Sequence, residues 1–290
     1  MVAGTFAEPP GGCIFSASQA VAVAMLAAFL LVRSVAQTSP ATVLESVRAS
    51  ALAYSSKLPD FICTQVTRRD VWNANDNGLF GTGISGRGPL GAAPIPATGT
   101  GREIVEQVTY FDQKENYQVL AIDGKQVTGI SHLQLQGAIT AGEFGTALHD
   151  IFDPASGTTF TEGRMIKLHG RPAWTFGFRV PKEHGNIVLL RNPDRETVVA
   201  YSGEIFVDAA SLGVLRVHSV LDLPRGLPLQ HAETTVDYKP VAIAGRTYNL
   251  PWHSDVRLQD LSHNYINTIE FRHYHEFVAE TKILGGSSVH

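Results

Sequence analysis

The sequence predicts a mostly β, α+β fold: a strongly curved antiparallel sheet or half-barrel with an N-terminal helix and a mid-chain helix packed on its concave face. Three observations predict it. Strand-length segments carry apolar residues on one face only, as where Trp174, Phe176, Phe178 and Val180 alternate with Thr175, Gly177 and Arg179, and such alternation belongs to antiparallel sheets. Tight turn signals such as Asp123-Gly124 and His169-Gly170 join these segments. Helical spacing occurs in only two places. A sheet of about ten to twelve strands must curl, close or be covered, and curvature under two helices meets that need.

The elements follow in order. Residues 1–36 read as a cleavable signal peptide: Ala20 to Val32 is an uncharged apolar run, followed by Arg33 and the small-x-small triplet Ser34, Val35, Ala36. The run is shorter than the roughly 20 residues that cross a bilayer. Cleavage near Ala36 is therefore expected to leave no transmembrane anchor and to place residues 37–290, a single β-rich domain, in the periplasm or outside the cell. Ala41 to Ser55 spaces Val43, Val47, Ala51 and Tyr54 as one helix, ended by Leu58-Pro59. Phe61 to Trp72 reads as the first strand. A flexible loop rich in glycine and proline is expected over 73–101.

Strands are then expected at Arg102–Phe111, Tyr117–Ile122 and Gln126–Ile130. Thr140 to Phe152 changes period, with Phe144, Leu148, Ile151 and Phe152 three or four apart, which predicts a short amphipathic helix ending before Pro154. Further strands are expected at Thr158–Leu168, Ala173–Val180, Ile187–Leu190, Tyr201–Asp208, Val214–Leu221, Thr234–Lys239, Val241–Leu250 with a turn at Gly245, Trp252–Gln259, and a long, bulged Tyr265–Ile283. Leu215, Val217 and Leu221 are expected to point inward, as are Trp252, Val256 and Leu258.

A formal net charge of −4 gives no basic footprint for nucleic acid. Of the two cysteines, Cys13 leaves with the leader, so Cys63 has no intramolecular partner and reads as a small buried hydrophobe beside Phe61 and Ile62. Eleven histidines raise the question of a metal. His273 and His275 lie two apart on a strand, where side chains share a face, with His263, His253 or Glu276 as further donors; the alternative is ordinary polar positions separated by a bulge. No His-Glu-x-x-His and no Gly-x-Ser-x-Gly occurs. Glu103 with Glu106, and Asp150 with Asp153, read as solvated surface acids. No cofactor and no catalytic residue is expected.

The order of elements resembles the outer-membrane lipoprotein carrier (LolA-like) group and its relatives, the lipoprotein acceptor and the RseB proteins. Three stretches carry the resemblance: Tyr201-Ser-Gly-Glu-Ile-Phe-Val-Asp208 leading into Val214-Leu-Arg-Val217, Thr235-Val-Asp-Tyr238 followed by Gly245-Arg-Thr-Tyr-Asn-Leu-Pro251, and Ile269-Glu-Phe-Arg-His-Tyr-His-Glu-Phe277. It covers roughly residues 41 to 284, carries no diagnostic motif and transfers no individual functional residue. It implies a half-barrel that shields acyl chains or a peptide without catalysis.

The sequence thus points to an exported, non-catalytic protein that binds a lipid, lipoprotein or other envelope partner on a concave β surface. Its candidate ligand-binding residues are Phe144, Leu148, Phe152, Trp174, Phe176 and Phe178, a pattern that most often is plain core. The rivals are a metal-dependent or other hydrolase using the His273/His275 region, and a structural envelope module without a ligand.

Overall fold

The computed structural model describes residues 39–73, 101–135, 144, 146–189 and 196–277. The expected leader and cleavage site, nearly all of the Gly/Pro-rich segment and the stretch beyond Phe277 lie outside these residues. Helix α1 spans Pro40–Leu52 and buries Val43, Val47 and Ala51, spaced by four as one face of a helix requires. A single further turn, α2 at Tyr54–Lys57, follows before Leu58 turns extended. The mid-chain helix α3 covers Thr146–Phe152. Phe144 sits just before it, outside the helix.

Fourteen strands are described: β1 Phe61–Asn73, β2 Arg102–Phe111, β3 Lys114–Ile122, β4 Lys125–Gln126, β5 Thr159–Phe160, β6 Arg164–Leu168, β7 Arg171–Val180, β8 Asn186–Leu189, β9 Glu196–Val199, β10 Tyr201–Asp208, β11 Val214–Leu221, β12 Leu229–Ile243, β13 Arg246–Asp260 and β14 His263–Glu276. Twelve form one antiparallel sheet in the order β4-β3-β2-β1-β14-β13-β12-β11-β10-β7-β5, with β6 also on β7. β8 and β9 pair separately. Two meanders, one from each half of the chain, are joined where β1 lies beside β14, with Gln65 opposite Phe271 and Arg69 opposite Asn267.

The sheet is not strongly curled, which corrects the half-barrel expectation. It runs open from β4 to β5, and its apolar face is covered instead of being rolled inward. Covering satisfies the same burial requirement as curvature. One cluster joins Val43, Val47 and Ala51 of α1 and Leu148, Ile151 and Phe152 of α3 to the face of β7, β10, β11 and β12. A second gathers Phe61, Cys63, Val108, Tyr110, Phe144, Leu250, Ile269 and Phe271 on β1, β2, β13 and β14. Tyr54 packs against both clusters, and its hydroxyl donates to the Asn249 carbonyl.

Two bulges correct the inward lists. The register of β10 on β11 slips between Phe206 and Val207, whose partners are Arg216 and Val214. Val214 therefore joins the helix-covered cluster, while Leu215 packs with Leu168, Ala173 and Phe206 in a small cluster of its own. The register of β12 on β13 slips between Asp237 and Tyr238, opposite His253 and Pro251. Trp252 is the extra residue, 40% exposed, with the Lys239 ammonium over its ring at 5.1 Å. An inserted residue reverses the alternation beyond it, and neither insertion shows as a break in the hydropathy pattern.

Candidate binding face

The six proposed binding residues do not form one group. Leu148 and Phe152 on α3 meet Phe176 and Phe178 on β7 in the first cluster, with Trp174 partly buried against it. Phe144 belongs to the second cluster, edge-on to Phe61 at 5.4 Å and to Phe271 at 5.1 Å. Phe152 stacks on Phe160 at 5.4 Å, and Trp174 on Phe176 at 6.4 Å. All but Trp174 are 4% exposed or less, so in this state they fill space against each other.

The same face changes character toward β1, β2 and β14. Alternation brings Gln65, Thr67 and Arg69 of β1 onto the face that carries Phe61 and Cys63, with Glu106 of β2 opposite Gln65. Ser254 of β13 is opposite Ile269, which is opposite Thr67. Gln65, Thr67, Arg69, Glu106, Asn267, Ser254 and the neighbouring His132 are each 7% exposed or less. The Glu106 carboxylate accepts from His132 Nδ1 at 2.7 Å and from Gln65 Nε2 at 3.1 Å. A carboxylate only accepts, so Nδ1 of His132 carries the proton in this contact. The His132 ring stacks on Tyr117 at 4.5 Å. Arg69 Nε donates to Asn267 Oδ1 at 2.9 Å, and burial holds its guanidinium below the usual value while Glu106 opposes that shift. Two atoms of this strip, Gln65 Oε1 and Ser254 Oγ, are buried without a hydrogen-bond partner.

Sequence reasoning left this strip unseen: it placed Glu106 at the surface, whereas Glu106 is 1% exposed. The signal lay in the alternation itself, since Gln65, Thr67 and Arg69 continue the inward series begun by Phe61 and Cys63.

The rival site at His273 and His275 falls on a bulge. Pairing of β1 with β14 slips between Ile62 and Thr64, His273 takes a positive φ of 55°, and the backbone oxygen of His273 lies 2.9 Å from the Nδ1 of exposed His275. The two imidazoles therefore do not share a regular strand face. Among the described residues no group of three or more His, Cys, Asp or Glu side chains is placed to hold a metal ion. Cys63 is fully buried and free, and burial, with Glu115 adding to it, pushes its thiol well up, which makes it a poor nucleophile. A separate cleft of about 390 Å³ lies beside the Arg179–Asp222 ion pair and is lined by Pro181, Lys182 and Val198 among others. It touches none of the six residues.

No family model matches the chain, and no curated protein matches it. Among solved structures the chain is similar to a DUF1329 family protein from Desulfovibrio piger, with a TM-score of 0.40 and 8% identity over 84% of this chain and 96% of that one.

Proposed function

We propose that the protein is an exported, non-catalytic envelope protein whose helix-covered sheet face takes up the acyl chain of a lipid or lipoprotein. One observation carries this reading: between α1, α3 and the sheet lies a continuous cluster of apolar side chains and tyrosines, and part of its cover is the seven-residue α3. Burying Leu148, Ile151 and Phe152 stabilises the closed arrangement by about 5–9 kcal/mol at about 1.5–3 kcal/mol for each side chain. A chain of about 16 carbons gains on the order of 10 kcal/mol from the same burial. The two are close enough for exchange to be reversible. The resemblance to the lipoprotein carriers and the leader-like segment support the same reading and assign no residue a role.

The test is mass spectrometry of organic extracts from protein exported to the periplasm and purified without detergent. Acyl lipid at near-stoichiometric amounts, displaced by added palmitate, is the expected result. Repeated recovery of lipid-free protein that does not take up palmitate would leave a structural envelope module as the better account.

A further inference from the structure

We infer that the buried polar strip of Gln65, Glu106 and Ser254 is a head-group subsite that takes the uncharged, hydrogen-bond-donating end of an amphiphile; this rests on the acyl-binding reading above. The strip lies on the same sheet face as the apolar clusters: Gln65 follows Phe61 and Cys63 along β1 at two-residue steps, and Ser254 lies two residues before Val256 on β13 and opposite Ile269. A chain lying along the apolar residues thus has its polar end within reach of the strip.

The chemistry of the strip specifies the head. A buried acceptor without a donor costs about 1–3 kcal/mol, and buried side-chain polar atoms are in the great majority partnered. Gln65 Oε1 and Ser254 Oγ are both buried and unpartnered. Gln65 is fixed by its other end, because its Nε2 donates to Glu106 Oε2 at 3.1 Å; its oxygen, an acceptor only, therefore stays in the strip. The serine hydroxyl accepts as readily as it donates. Unfilled accepting capacity calls for a ligand with O–H or N–H groups. Charge matters as well: the strip holds one carboxylate, Glu106, and one guanidinium, Arg69, both buried, so it offers no surplus charge to a carboxylate or phosphate head. A glyceryl or amide head can pair with both atoms, whereas a bare ester can only accept from Ser254 and leaves Gln65 Oε1 unfilled.

Calorimetric titration with two 16-carbon probes tests this, monopalmitoylglycerol with a diol head and methyl palmitate with no donor. The wild-type chain is expected to bind the glycerol ester about tenfold more tightly, the scale of one or two hydrogen bonds. Gln65→Met and Ser254→Ala should each shrink that preference, and Gln65→Met should leave methyl palmitate affinity unchanged. Ser254→Ala removes a single oxygen and keeps the test sound if Gln65→Met fails to fold, with circular dichroism checking both. Equal binding of the two probes by wild type, or a preference unmoved in the folded variants, would overturn the head-group subsite while leaving acyl binding intact. Binding of neither probe by wild type would overturn both.

Discussion

Arg216 on β11 and Asp237 on β12 clasp each other through two hydrogen bonds, Nε to Oδ1 at 2.6 Å and Nη2 to Oδ2 at 2.7 Å, with both side chains about one-tenth exposed. The His169 Nε2 lies 3.3 Å from the second guanidinium nitrogen. Removing one partner strands the other charge in a dehydrated place, which costs far more than the pair itself contributes. Asp237→Ala is expected to destabilise the fold by about 3–5 kcal/mol, whereas the double change Arg216→Met with Asp237→Leu should come close to neutral. Urea unfolding of the three proteins measures this, and equal losses in the single and double variants would contradict it.

Truncating Leu148 separates stability from uptake. Leu148→Ala empties space between α3 and β7 and should cost about 2–5 kcal/mol of folding free energy. On the proposed reading the same change weakens the packing that an acyl chain displaces, so palmitate affinity should rise. A parallel fall in stability and in affinity would show that α3 is fixed core.

Stability should peak in mildly acidic solution. The hydrogen bond donated to Asp255 raises the His253 imidazole above its ordinary 6.5, so its contribution is complete below that value and is lost as pH rises through the raised one. Hydrogen bonds from His218 and His231 hold the Glu233 carboxyl well below its ordinary 4.5. Its contribution is present above 4.5 and fades as pH falls through the depressed value. Thermal melts should therefore give the highest Tm between about pH 5 and 6, falling toward pH 8. His253→Asn should flatten the alkaline fall; an unchanged slope would assign the effect to other groups.

Gly203 sits where β10 and β11 run too close for a side chain. A Cβ there would lie 1.8 Å from the backbone oxygen of His218, and a backbone atom cannot swing aside as a side chain can. Gly203→Ala is expected to cost about 1–3 kcal/mol or more as overpacking and to raise hydrogen exchange along Val214–Leu221. Wild-type exchange in that hairpin would refute the close approach.

Much of this architecture was legible in sequence. The strands Arg102–Phe111, Tyr201–Asp208 and Val214–Leu221 form with the expected bounds, because turn residues mark their ends. Expected strands shortened or split where that alternation lacked partners: Gln126–Ile130 is reduced to β4, and Thr158–Leu168 becomes β5 and β6. Glu196–Val199 gave no separate signal from the strand that follows it. Trp252 and Leu215 were misplaced for one reason, since a bulge is a matter of backbone hydrogen bonding and leaves composition untouched. The polar strip escapes hydropathy, which scores Gln65 and Glu106 as solvent-facing, although the two-residue period from Phe61 and Cys63 points Gln65 inward and pairing with β2 brings Glu106 beside it.

The open sheet ends in β4 and β5, each two residues long, and the five-residue β6 beside the latter carries Arg164 and Lys167. Long, flat, uncharged margins invite neighbouring molecules to add strands, the route to fibres. Short termini and basic side chains deny that template at both margins. The broad sheet therefore carries its protection against polymerisation in its shortest marginal strands, and lengthening β4 or neutralising β6 is where such assembly would begin.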